Sequence, residues 1–468
     1  MTSIHILDDD SLLNIFYLYR PFFSGADPVP RLRGHWPGER WWYRLAHVCQ
    51  RWRNLIFGSA SYLGLCLVCT YDTPVADMLA HSPPLPLIID YYEYDDITAE
   101  DEEAIILALQ QRDRVCRIRL YIPVLKLQRL ITAIDEEYPI LENLILVAPP
   151  EDKSTVLILP ETLQIPHLRH VTIDCSIPIR FQLLTTTVGL VTLDLSIYSP
   201  STYFQPTVLL QSLSSMPQLD MLLITFHFAV PNRDVERQLM RRPIATHVTL
   251  PNLRTFSFKA VSAYSEAVLS RITAPRLEIF QIYYLKQLTF SVPQLLQFMG
   301  RTEKFRFDRA YLGFDSGRVY VKVNPAETNM LLDAFLIEVD CWHLDWQVSS
   351  VVQIFNVLDQ IFSAVEHLTL GPEFHSQSSE EHNEVDRAEW RKLLRLFTSV
   401  KTLHVGNVLV REVSRCLRLD DGEHPLELLP GLQELTYPRG RDLNDLFTSF
   451  IDGRQNAGHP VALERSWH

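Results

Sequence analysis

Apolar residues return along most of this chain in one local pattern, apolar-x-x-apolar-x-apolar, often opened by a proline two positions earlier. It reads PILENLIL from Pro139, PHLRHVTI from Pro166, PQLDMLLI from Pro217, PNLRTFSF from Pro251, PRLEIFQI from Pro275 and PGLQELTY from Pro430. The same spacing without the proline begins at Asp113, Val188, Met330, Ser363 and Thr398, with a weaker version, GRTEKFRF, at Gly300. The first apolar positions fall at 115, 141, 168, 190, 219, 253, 277, 302, 332, 365, 400 and 432, at intervals of 22 to 35 residues. The closing apolar-x-apolar pair of each unit predicts a short strand with alternate residues buried. Two earlier strands are expected around Leu65–Val68 and Leu87–Ile89. Between strands the pattern changes to helical spacing, as in TAEDEEAIILALQQR, where Thr98 and Asp101 predict a capping box.

One strand and one helix cannot bury their own apolar faces, so such units must stack. The period suits leucine-rich repeats, although the Asn usual just past the strand is absent. The expected fold class is therefore α/β: a short all-α module followed by an irregular leucine-rich-repeat solenoid of parallel strands, with helices on its convex side. The polar residues between buried strand positions then point to the concave face. Candidates for binding there are Arg117, Arg119, His170, Asp194, Gln281, Lys304, Arg306, His367 and His404, accompanied by Asn143, Thr172, Thr192, Thr255, Ser257, Thr369 and Thr402. Any one of them could equally be an ordinary solvated strand residue. Residues 371–390 are acidic and polar without apolar periodicity, which predicts a long loop.

The first seventy residues follow a different pattern. From Leu7 to Arg20 the apolar positions Leu12, Leu13, Ile15, Phe16, Leu18 and Tyr19 make a helical stripe, with Asp8, Asp9 and Asp10 at its start and Pro21 at its end. Carboxylates there suit the free N–H groups and the dipole of a helix N-terminus. Residues 21–40 hold four Pro and three Gly and predict a loop. A second apolar-periodic run covers 41–57 and is ended by Gly58 and Ser59, so two or three short helices are expected in these seventy residues. The expected organisation is 1–62 as the helical module with its loop 21–40, 63–112 as a transition carrying the first strands, and 113–468 as the repeat region.

The run Leu7, Leu12-Leu13-x-Ile15-Phe16, then Leu45-x-x-Val48-Cys49-Gln50-Arg51-Trp52-Arg53-x-Leu55-Ile56, resembles the F-box motif. Among its variants it is most similar to those of mushroom-forming (basidiomycete) fungi, which continue into a strand like Leu65–Thr70 and a Pro-rich turn like Pro83-Pro84-Leu85-Pro86. Asp8 stands where the motif has Pro, and 21–40 is longer than its inter-helix turn. The resemblance implies docking on the adaptor subunit of a cullin-based, SCF-type ubiquitin ligase. The adaptor-facing candidates it implies are Leu7, Leu12, Leu13, Ile15, Phe16, Leu45, Val48, Cys49 and Trp52, and the repeats would hold a protein substrate. The alternative is a repeat scaffold that binds a protein partner with no ligase.

Composition narrows the rest. Of 468 residues, 47% are hydrophobic and 21% charged, which excludes wholesale disorder. The net charge of −13 argues against nonspecific nucleic-acid binding. Gly, at 16 residues, is too scarce for phosphate-cradling loops, and no GxxxxGK[ST], GxGxxG or GxSxG occurs. Seven scattered Cys make no disulfide framework and suit a reducing compartment, so the expected location is cytoplasm or nucleus. Cys66-x-x-Cys69 lies in a strand-like run without the further ligands a zinc site needs. His375 and His382 with Glu373, Glu380 and Glu381 lack the rigid spacing of a metal motif. No enzyme, cofactor, metal or membrane span is expected. Of 43 basic residues only eight are Lys, and none precedes Lys126.

Overall fold

The structure is a computed structural model that describes residues 7–20, 41–71, 73–92, 97–134, 136–177, 187, 189–228, 245–285, 287, 290–301, 308–324, 334–358, 362–371, 387–419, 424–438 and 446–466. The loop 21–40, most of the loop 371–390, and Lys304 and Arg306 lie outside the described residues. The chain forms two compact units, Met1–Thr202 and Tyr203–His468.

The first unit opens with four helices, α1 (Asp9–Tyr19), α2 (Trp41–Ala46), α3 (Gln50–Gly58) and α4 (Ala60–Leu63). Asp8 caps α1 by accepting from the Ser11 N–H at 2.7 Å. That bond also holds the Asp8 carboxyl below the usual carboxylate range. The apolar-periodic run over 41–57 forms two helices, α2 and α3. Cys49 is extended (φ −159°, ψ 169°) and begins α3. The break leaves the last carbonyls of α2 open, and Arg53 Nε donates to Ala46 O at 3.0 Å to satisfy one of them. Gly64 closes α4 in the left-handed region (φ 61°), and a Cβ there would press on the Arg20 guanidinium.

Strands and helices then alternate: β1 (Leu67–Cys69), α5 (Val75–His81), β2 (Leu87–Tyr91), α6 (Ala99–Leu109), β3 (Val115–Tyr121), α7 (Val124–Thr132), β4 (Asn143–Val147), β5 (His170–Asp174) and β6 (Thr192–Ile197). All six strands pair in parallel with their chain neighbours. Thr98 and Asp101 form the expected capping box on α6, with Thr98 N donating to Asp101 Oδ2 at 3.0 Å and Asp101 N to Thr98 Oγ1 at 3.1 Å.

The second unit carries α8 (Pro206–Leu213), β7 (Met221–Phe226), β8 (Val248–Thr249), β9 (Thr255–Ala260), α9 (Ser262–Leu269), β10 (Ile272–Thr273), β11 (Ile279–Tyr284) and α10 (Pro293–Gly300). It continues through β12 (Arg309–Asp315), β13 (Arg318–Asn324), β14 (Phe335–Asp340), α11 (Leu344–Phe355), β15 (His367–Gly371), α12 (Arg387–Arg395) and β16 (Thr402–Val405). Last come α13 (Val410–Leu417), β17 (Glu434–Pro438), α14 (Thr448–Asn456) and β18 (Ala462–Ser466). Its main sheet runs β7-β9-β11-β14-β13-β12-β15-β16-β17-β18.

One feature departs from the all-parallel expectation. β12 and β13 are an antiparallel hairpin turned at Ser316-Gly317, and β13 pairs antiparallel with β14 as well. The hairpin reverses chain order in the sheet, so β14 lies against β11 and β12 against β15.

Buried positions follow the repeat spacing closely. Leu141, Leu144 and Leu146 are inside, as are Leu168, Val171 and Ile173, Leu253, Phe256 and Phe258, Leu277, Phe280 and Ile282, and Val400, Leu403 and Val405. Polar groups also tie successive repeats together. Glu266 on α9 accepts from Gln294 N at 2.6 Å and Leu295 N at 3.0 Å, so it caps the next repeat's helix, α10. Burial lifts the Glu266 carboxyl from 4.5 to about 7, against the pull of those two donors. A carboxyl with a raised folded pKa favours the fold while protonated. Its contribution is fully present below about pH 4.5 and is lost as pH rises through about 7. Glu266→Gln is therefore expected to flatten the fall in stability between those limits, measured by denaturant unfolding at several pH values. An unchanged slope would contradict it.

Candidate functional site

Two kinds of surface gather the residues singled out by sequence. The first is the helical start. Leu12 and Phe16 point inward, with Phe16 edge-on to Trp52 at 4.8 Å. Arg51 fastens α3 to the start of α1, donating from Nη2 to Leu7 O at 2.6 Å and to Asp9 Oδ1 at 2.7 Å. Leu7, Leu13, Leu45, Cys49 and Trp52 are half-buried. Ile15 and Val48 are exposed, at 45% and 58%, together with Leu18 at 81%, Tyr17, Tyr19 and Tyr62. Val48 is outside because the α2–α3 break rotates it out of the stripe. α1 thus has a filled inner face and an apolar outer one.

The second surface is the sheet face left by the buried repeat positions. In the first unit Arg117, Asn143, His170 and Thr192 form one rung, and Arg119, Ile145, Thr172 and Asp194 the next. His170 Nδ1 lies 3.1 Å from Thr192 Oγ1. Burial, then the neighbouring Arg169 charge, pushes the His170 pKa down and so favours the neutral ring. Burial and then the Asp174 charge raise the Asp194 carboxyl to about 6. Arg119 is not a surface residue: it is 4% exposed, 3.4 Å from Asp90 Oδ2, with its guanidinium 4.8 Å from the Tyr92 ring centre. At the same edge Lys153 Nζ donates to Asp174 Oδ2 at 2.7 Å and to Tyr198 OH at 2.9 Å, and Tyr198 OH donates to Asp174 Oδ1 at 2.5 Å.

In the second unit Gln281 is on the rung Leu223, Ser257, Gln281, Leu336, Lys322, Tyr311, Thr369, His404 and Thr436. Gln281 accepts from Tyr283 OH at 3.2 Å, and His367 Nδ1 lies 2.7 Å from Thr402 Oγ1, repeating the His170–Thr192 pairing. Ion pairs link the strands, Lys259 of β9 to Asp340 of β14 at 3.1 Å, with β11 between those two strands, and Arg318 of β13 to Glu338 of the neighbouring β14 at 3.1 Å. Tyr320 stacks on Tyr311 and covers Gly313, where a Cβ would fall within its ring. Tyr311, Arg318 and Tyr320 are not among the expected face residues because they belong to the β12–β13 hairpin. The signal was there: Ser-Gly followed by the alternating RVYVKV is a hairpin pattern.

The arrangement is suited to holding a polar protein surface. His170 and His367 pair with threonines, and several charged side chains pair with one another. Among the described residues no group of three or more His, Cys, Asp and Glu is placed to hold a metal ion. Cys69 is buried in β1 and Cys66 half-buried beside it. Among the described residues no helix is long and apolar enough to cross a membrane.

No protein-family model matches this chain, and no curated protein does. Among solved structures it is similar to the leucine-rich repeat-containing protein LegL7 from Legionella pneumophila, at 11% identity and a TM-score of 0.24, over 84% of this chain and 98% of that one.

Proposed function

We propose that this chain is a substrate-recognition subunit of an SCF-type ubiquitin ligase. In this reading α1–α3 dock on the adaptor and, through it, a cullin, in the cytoplasm or nucleus, while the polar sheet faces hold a protein substrate. The observation that carries it is the apolar outer face of the helical start. Leu18, Ile15 and Val48 stand in water although α1 already has a packed inner face of Leu12 and Phe16. Exposed apolar side chains gathered in one short helical stretch mark a protein interaction site, and they lie within the stretch that resembles the F-box motif. The chain would perform no covalent step. Its contribution would be proximity, raising the effective concentration of a substrate lysine near a charged ubiquitin carrier.

Exposure selects the test. Ile15→Asp/Val48→Asp places two charges on the outer face without touching Leu12 or Phe16. In a pull-down with the purified adaptor, the wild type should be retained and this variant lost, a weakening of about a hundredfold for two buried charges. Failure of the wild type to bind would end the ligase reading. The second reading, a repeat scaffold whose helices only cap the stack, is favoured by the inward packing of Phe16 on Trp52. It predicts that neither protein is retained.

A further inference from the structure

Residues 387–418 hold eight Lys and Arg against two Glu, in a chain whose net charge is −13. The fold places most of these cations on two adjacent helices. α12 and α13 are neighbours, joined by Arg387, which donates to Arg418 O, and by Arg391, whose Nη1 donates to Cys416 O at 3.4 Å. On α13 and its C-terminal cap, Arg411, Arg415 and Arg418 recur at four and three residues, which puts them on one face. All three are exposed, and Lys392 and Arg395 on α12 are exposed as well.

The carboxylates here are recessed relative to the cations. Side-chain exposure is 54% for Lys392, 44% for Arg395 and 60% for Arg415, against 24% for Glu389, 21% for Glu412 and 38% for Glu427. Among the described residues, the outermost layer of this surface is therefore cationic. Arg395 and Arg391 share Glu427, Arg415 lies 3.7 Å from Glu412, and Lys392 is paired with Glu389. Arg411 and Arg418 have no carboxylate partner among the described residues.

We propose that the outer faces of α12 and α13 dock a carboxylate-rich segment of a partner protein. Carboxylates are what these cations already accept, and Arg, with its planar fork, binds them in pairs. A nucleic acid fits less well. The one aromatic ring of these helices, Trp390, is buried and offers no stacking platform for bases. The surface belongs to the helices rather than the sheet faces, and the proposal does not depend on adaptor binding.

The test uses the full chain and fluorescence anisotropy at low ionic strength. The probes are a labelled glutamate-rich peptide, its glutamine counterpart and a single-stranded DNA of equal length. The glutamate peptide should bind, more weakly as salt rises, and the glutamine peptide should not. Arg411→Gln/Arg415→Gln/Arg418→Gln should weaken binding by about tenfold, at tenths of a kcal/mol or more per exposed charge pair. Arg276→Gln, an exposed arginine elsewhere in the unit, should leave it unchanged, and thermal melts of both variants should match the wild type. Equal binding of the two peptides, an unaffected triple variant, or tighter binding of the DNA than of the glutamate peptide would each overturn the proposal.

Discussion

Asp90→Ala is expected to destabilise the first unit by about 3–5 kcal/mol, the cost of breaking a buried ion pair by removing one member. Arg119 would then hold its charge at 4% exposure without the Asp90 carboxylate. In a unit of roughly 200 residues that shift lowers the melting midpoint by about 10 °C. The double variant Asp90→Leu/Arg119→Met should recover most of the loss, because no unpaired charge remains. Thermal melts of the single and double variants separate the cases. A single variant within about 1 kcal/mol of wild type would show that water reaches Arg119.

Phe280→Ala is expected to cost the second unit about 3–5 kcal/mol. Phe280 is fully buried, parallel to Phe256 at 5.7 Å, and touches Phe298 of α10 at 5.1 Å and Phe335 of β14 at 5.9 Å. Truncation would open a cavity shared by three strands and a helix. Phe280→Leu, which keeps most of the volume, should cost much less, and equal losses for the two would contradict the packing argument. Denaturant midpoints provide the comparison.

Phe280 also shows how much of the fold the amino-acid pattern carries. It is the middle apolar position of PRLEIFQI, and its neighbours Phe256 and Phe335 hold that position in their own repeats. Strand after strand begins two residues past the first apolar position, as at Asn143, His170, Thr192, Thr255, Ile279, His367, Thr402 and Glu434. A period-two alternation anchored by an earlier apolar residue leaves little freedom in register. The hairpin β12–β13 was not legible in the same way, since it lacks the repeat's opening and was masked by the expectation of another parallel unit.

Arg119, Arg391 and Arg454 mark the other limit of pattern reading. A pattern of polar and apolar positions places arginine outside, yet all three are buried. Arg454 donates to the carbonyls of Leu429, Pro430 and Leu432, holding a turn in which Leu429 has φ 50°. Arg114 does the same for Pro83 and Leu85, and Arg53 for Ala46. Turns between stacked repeats expose carbonyls that one guanidinium can satisfy several at a time. That gives the predominance of Arg over Lys a structural use, although composition alone pointed to no role. The candidate face was legible as a set of strand positions. Which of its side chains are free was not, because that depends on partners one strand away, such as Thr192 for His170 and Asp90 for Arg119.

On the proposed reading the helical start, and not the sheet, meets a ligase adaptor. Hydrogen exchange of the full chain with and without saturating adaptor distinguishes the two surfaces. Added protection is expected over Asp9–Tyr19 and Trp41–Gly58, with strands β3 to β6 unchanged. Absence of added protection in those helices, or protection confined to the sheet strands, would contradict it.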